Sequence, residues 1–96
     1  MRYLVLYRTP TAQIQHRFAA AAHRAGVLLA CDELGPTGAH IIVREGRRTM
    51  GRVDDGGPTG LVIIDVKSLA EAVEWANRLA DEFDDVNLTI APIAGT

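Results

Sequence analysis

The spacing of apolar residues changes along the chain between a period of two and a period of three to four, and the changes mark the elements. Leu4 and Leu6 alternate with Tyr3, Val5 and Tyr7, which predicts a strand over residues 2–7, stopped by Thr9-Pro10-Thr11. From about 11 to 25 the pattern is helical, with Ile14, Phe18, Ala21, Ala22 and Ala25 on one stripe and Gly26 as its cap. Val27-Leu28-Leu29-Ala30-Cys31 is an apolar run of strand length. Ala39 to Arg44 reads as another strand, and Glu45-Gly46-Arg47 as a tight turn into a weaker one near 47–53. After the turn-forming stretch Asp54 to Gly60, Leu61 to Val66 is apolar on both faces, as an inner strand is.

Ser68 followed by Glu71 forms a capping box, in which each side chain serves the other's backbone amide. It predicts a helix over 68–83 with Leu69, Ala72, Val73, Ala76, Leu79, Ala80 and Phe83 on its packed face. Asp81, Glu82, Asp84 and Asp85 lie at the end of that helix where negative charge opposes the dipole, and the sequence supplies no reason for them. Residues 86–93 alternate as a last strand, with Pro92 marking an edge or an end. The resulting fold class is α+β. The order β-α-β-β-α-β, with a small extra hairpin strand, is that of a ferredoxin-like split βαβ sandwich, both helices on one face of an antiparallel sheet. Apolar residues on both alternations of the inner strands require cover for the second face as well. A second copy of the chain is the simplest cover, and two such sheets face to face form a dimeric α+β barrel.

Composition narrows the class. Ninety-six residues make one domain, and 48% hydrophobic with 23% charged residues exclude disorder and coiled coil. One cysteine, Cys31, makes no internal disulfide, and no Cys/His metal framework or cofactor fingerprint occurs, so neither metal nor cofactor is expected. The short apolar start has no signal-peptide character and no run reaches the roughly 18 residues of a membrane span, so the expected location is the cytoplasm, away from membranes. The net charge of −2 excludes wrapping of nucleic acid by bulk charge. It conceals a division: residues 1–52 carry a net +5, and residues 53–96 a net −7.

The run Gly60 to Ala76, in which a strand ending in Asp65-Val66 leads into Ser68-x-x-Glu71-Ala72-x-Glu74-Trp75-Ala76, resembles the YCII-related family, particularly its DGPF branch. Arg2 to Tyr7, Ala25 to Leu28 and Leu34-Gly35-Pro36 are similar to it too. Asp55-Gly56-Gly57-Pro58 echoes the Asp-Gly-Pro-Phe that names the branch, without the Phe. The resemblance implies a dimeric α+β barrel. It also implies an acid/base pair in other members, a His near the start of the first helix and an Asp after the second strand; His16 lies about one residue from the first of these positions.

The residues themselves supply a few acid/base candidates. His40 sits mid-strand, and if Ile41 and Val43 pack under the helices it points into the barrel, where an imidazole serves as a general base. His16 and His23 share the stripe opposite Ile14 and Phe18, the solvent side. Asp32 follows a buried strand toward the barrel mouth, while Asp54 and Asp55 lie in a Gly-rich turn that favours Asp on conformational grounds alone. Tyr3 and Tyr7 share one strand face and either line the pocket or pack in the core; Arg8 beside them suits an anionic substrate. The expectation is a homodimer with a small-molecule pocket and lyase- or isomerase-type chemistry: His40 or His16 moves a proton, Asp32 or Asp55 orients it, and Tyr3, Tyr7 and Arg8 bind. The alternative is a non-catalytic ligand-binding or accessory module. Arg44, Arg47, Arg48 and Arg52 make the hairpin basic, without an aromatic platform for nucleic acid. In a two-fold dimer, Arg47 and Arg48 would face the partner's acidic end at Asp81 to Asp85.

Overall fold

A computed structural model describes residues 1–10, 16–35, 38–53 and 57–95, without the side chains of His16 and Val53. In chain order the elements are β1 (Arg2–Arg8), α1 (His16–Arg24), β2 (Leu28–Glu33), β3 (Gly38–Arg44), β4 (Arg47–Val53), β5 (Gly60–Asp65), α2 (Leu69–Ala80) and β6 (Asn87–Pro92). Four strands form one sheet in the order β2-β5-β1-β6, each neighbouring pair antiparallel. Strands β3 and β4 form a separate two-stranded sheet. The protein is thus α+β, built on antiparallel sheet and two helices. No described helix is long and apolar enough to cross a membrane.

Alternation in β1 sends Tyr3, Val5 and Tyr7 to the helix side and leaves Arg2, Leu4, Leu6 and Arg8 on the other. The register continues the division across the sheet. Val5 stands opposite Val62 and Ile90, and Tyr7 opposite Gly60 and Leu88. Together with Ile64, Phe18 and Ala22 from α1, and Ala72, Trp75, Ala76 and Leu79 from α2, these residues make or line the core. Phe18 meets Trp75 edge to face, with centroids 6.2 Å apart, and Tyr7 lies 5.5 Å from Phe83. Gly60 is a requirement of that packing, because a methyl at this position would overlap the Tyr7 ring.

Three expectations need correction. The first concerns β3, read as a strand of the main sheet from which His40 enters the barrel on the condition that Ile41 and Val43 pack under the helices. Both are exposed, at 60% and 56%, because the hairpin stands apart from the body. The second concerns α2, which ends at Ala80 and is rotated from the expected stripe. Trp75 is inside, whereas Leu69 and Val73 are exposed. The large indole fixes the rotation, since burying it removes more apolar area than burying Val73 would.

The third correction is in the capping box. Ser68 Oγ accepts from the Glu71 amide at 3.2 Å as expected, but the Glu71 carboxylate accepts from the Lys67 amide at 3.1 Å, one residue before the cap. The acids after α2 also gain a reason. Glu82 accepts a hydrogen bond from the Phe18 amide at 3.1 Å, so a carboxylate misplaced for its own helix caps the described start of α1.

Candidate functional site

The helices cover one face of the four-stranded sheet. The opposite face carries Leu4 and Leu6 from β1 and Leu61 and Ile63 from β5, all partly exposed. At one end of this face, register brings polar side chains beside them. Leu6 is opposite Thr89, and Arg8 is opposite Asn87. Paired residues share a face, so the guanidinium, the amide and the hydroxyl stand together at the sheet end.

They border an open concavity of about 350 Å³ lined by Leu6, Tyr7, Arg8, Pro58, Asn87 and Thr89. Its Pro58 wall is held by Thr59. The Thr59 amide and hydroxyl both donate to the Tyr7 carbonyl, at 2.8 and 3.2 Å, and Thr59 Oγ1 accepts from the Thr9 amide at 3.2 Å. Thr9, which is buried, donates in turn to the Asp85 carbonyl at 2.7 Å. The rim is therefore tied to neighbouring backbone by the hydroxyls of Thr9 and Thr59 and by the Thr59 amide.

Chemically the rim is a set of donors over an apolar floor. Arg8 is exposed, and among the described residues no carboxylate forms an ion pair with it. A planar guanidinium can donate two parallel hydrogen bonds to a carboxylate or phosphate, and Asn87 and Thr89 offer neutral donors at the same edge. Leu6 and Pro58 suit an apolar body attached to that anion.

The remaining candidates are dispersed. Tyr3 is buried on the helix side, with its hydroxyl 3.8 Å from Met1 Sδ. Tyr7 lines the concavity, but its ring packs over Gly60 and against Phe83 in the core. Asp32 is exposed at the end of β2, opposite Leu61, and so on the uncovered face. Leu61 is opposite Leu6, and Leu6 opposite Thr89, so Asp32 belongs to the same transverse row as the concavity. Strands are about 4.8 Å apart, which puts Asp32 roughly 10 Å from the Leu6 position.

His40 is on the separate hairpin, across from Gly51, with its imidazole beside the Gly51 backbone. His16 is a backbone position in α1 only, and Asp55 and Asp54 lie outside the described residues. Among the described residues no His is hydrogen-bonded to a carboxylate, and no group of three His, Cys, Asp or Glu is placed to hold a metal ion.

Sequence reasoning missed Asn87, Thr89 and Pro58. A signal for two of them exists, because alternation around Leu88 and Ile90 already puts Asn87 and Thr89 on one side of their strand. What was lacking was the register that sets that side next to Arg8. No family model matches the chain, and no curated protein matches it.

Proposed function

We propose that the chain binds a small anionic molecule, a carboxylate or phosphate with an apolar body, at the Arg8–Asn87–Thr89 rim of the uncovered sheet face. The observation that carries this reading is the grouping of a guanidinium, an amide and a hydroxyl at the edge of an apolar surface. Strand order β2-β5-β1-β6 with helices on one face is the order of a ferredoxin-like split βαβ unit, which supports a likeness to the YCII-related family. The uncovered Leu4, Leu6, Leu61 and Ile63 support a homodimer in which a second copy closes the concavity. In that assembly the open cleft becomes a pocket inside a dimeric α+β barrel.

The test is a thermal-shift screen of small carboxylates and phosphates against wild type, Arg8→Met and Thr89→Val. The Arg8→Met side chain keeps much of the apolar stem and loses the fork. Anions that stabilise wild type are expected to bind Arg8→Met about 10- to 100-fold more weakly, and Thr89→Val a few-fold more weakly. Equal stabilisation of wild type and Arg8→Met would overturn the reading.

A second reading, acid/base chemistry of the lyase or isomerase type, is favoured by the position of Asp32. A ligand anchored at Arg8 and lying along Leu6 and Leu61 extends toward that carboxylate, the proton acceptor this chemistry needs. Asp32→Asn separates the two readings. Binding retained with turnover lost identifies a catalytic Asp32, whereas binding retained in the absence of turnover by either form leaves the binding module alone.

A further inference from the structure

The β3–β4 hairpin is seven residues on each strand, and every one of its described side chains is exposed. Its register places Ile41 opposite Met50 and Val43 opposite Arg48, so Ile41, Val43 and Met50 share one face. On the other face Ile42 stands opposite Thr49, and Arg44 opposite Arg47. The turn is well specified. Glu45 and Gly46 both have positive φ, 52° and 76°, which is the two-residue type I′ geometry that suits strand twist. The hairpin is therefore precisely built but unsupported, and two strands alone are marginal in water.

Its detachment accords with the extended dimensions of the molecule. The radius of gyration is 15.0 Å, against about 12.5 Å for a compact chain of this length, and the long axis is 45 Å. Met50 is 71% exposed and Ile41 60%, a degree of exposure that isolated β-branched and thioether side chains on an ordered strand do not require. Beyond the apolar face, the tip carries Arg44, Arg47 and Arg48.

The same chain carries the complement. Leu4, Leu6, Leu61 and Ile63 form an uncovered apolar sheet face. Acidic residues collect at one corner of the body. Asp32, Glu33 and Glu82 all bear electrostatically on Cys31, and Asp81, Asp84 and Asp85 flank Glu82 in sequence. An apolar arm with a basic tip and an apolar face with an acidic corner, on one chain, is the self-complementary arrangement that a two-fold axis satisfies twice.

We propose that the β3–β4 hairpin is an intermolecular arm, whose Ile41–Val43–Met50 face packs on a second copy of this chain with its arginine tip against that copy's acidic corner. The proposal rests on the homodimer reading above and adds the partner's hairpin to its sheet as cover for the Leu4–Leu6–Leu61–Ile63 face. Each arm covers apolar surface that neither copy can cover alone, and the pairing of its arginine tip with the acidic corner sets its orientation.

Sedimentation equilibrium on wild type, Ile41→Glu/Met50→Glu, Arg47→Glu/Arg48→Glu, and Arg47→Glu/Arg48→Glu combined with Asp32→Lys/Glu33→Lys tests it. Far-UV circular dichroism and the urea midpoint of dilute samples check that the body is folded in each. The arm predicts a wild-type dimer, with dissociation constants raised at least about tenfold by the apolar and the arginine variants. The combined charge reversal is expected to recover most of the loss, which a merely unfolded arm would not do.

A wild-type dimer that both arm variants leave unaltered overturns the arm and leaves the homodimer standing. A wild type that is monomeric at tens of micromolar overturns both. A monomer that binds RNA or DNA through Arg47 and Arg48 would also overturn the proposal, replacing the second copy by a polyanion.

Discussion

Two stretches of this chain are nearly the same in character and opposite in fate. Leu61-Val62-Ile63-Ile64 and Ile41-Ile42-Val43 are both short, apolar and rich in β-branched residues. In β5, Val62 and Ile64 are completely buried. In β3, all three residues of the second stretch are exposed. The difference lies in what flanks them. β5 has β1 and β2 on its two sides and helices over one face, whereas β3 has β4 alone. An apolar strand pattern thus states that burial is required, and it does not state which chain supplies the cover.

The largest effect expected from this comparison is in stability at high dilution. Ile64→Ala deletes packing from a closed core and is expected to cost about 2–5 kcal/mol in urea unfolding. Ile41→Ala, in the same dilute sample, is expected to cost less than about 0.5 kcal/mol. Comparable losses at the two positions would mean that the hairpin packs in the body after all. Gly60→Ala probes the closed region more finely. Its added methyl has to enter the space of the Tyr7 ring, and Tyr7 is held against Phe83, so a loss of about 1–3 kcal/mol is expected. Gly51→Ala is the matching change in the arm, where the added methyl would make only ordinary contact with the His40 ring. A Gly60→Ala protein as stable as wild type would show that the core yields more readily than its burial implies.

Legibility from the sequence divides along the same line. Elements that are stabilised locally or by their own alternation were readable: Tyr3-Val5-Tyr7 on one side of β1, the Ser68 cap, the tight turn at Glu45-Gly46. What depends on neighbours distant in the chain was not. The orientation of Trp75, the use of Glu82 as an acceptor for the Phe18 amide 64 residues away, and the adjacency of Arg8 to Asn87 follow from strand order and register. The candidate site shows this sharply. Arg8 was chosen for its charge, which composition displays. Asn87 and Thr89 are ordinary strand residues until β6 is placed beside β1. The hairpin was read as strands, correctly, and assigned to the wrong sheet because periodicity carries no information about partners.

The smallest expected effect lies at the boundary between the two regions. Cys31 is on β2, the last strand of the body before the chain departs into the arm, and it is half-buried. Burial, then the carboxylates of Asp32, Glu82 and Glu33, raises its thiol above the ordinary 9.0. In the unfolded chain the thiol ionises near 9.0, while in the fold it keeps its proton to higher pH. The unfolded state therefore binds fewer protons in that interval. The contribution of Cys31 to stability is full below pH 9 and declines as the pH rises through the folded value. Urea midpoints of wild type should accordingly fall more steeply above pH 9 than those of Cys31→Ala. Alkylation at pH 9 should be slower in the folded protein than in urea. Glu82→Gln removes one of the charges that oppose the thiolate and should move the alkylation profile to lower pH. An unmoved profile in Glu82→Gln, with alkylation as fast as in the unfolded chain, would place Cys31 in the exposed region, and the packed body would then end at β5.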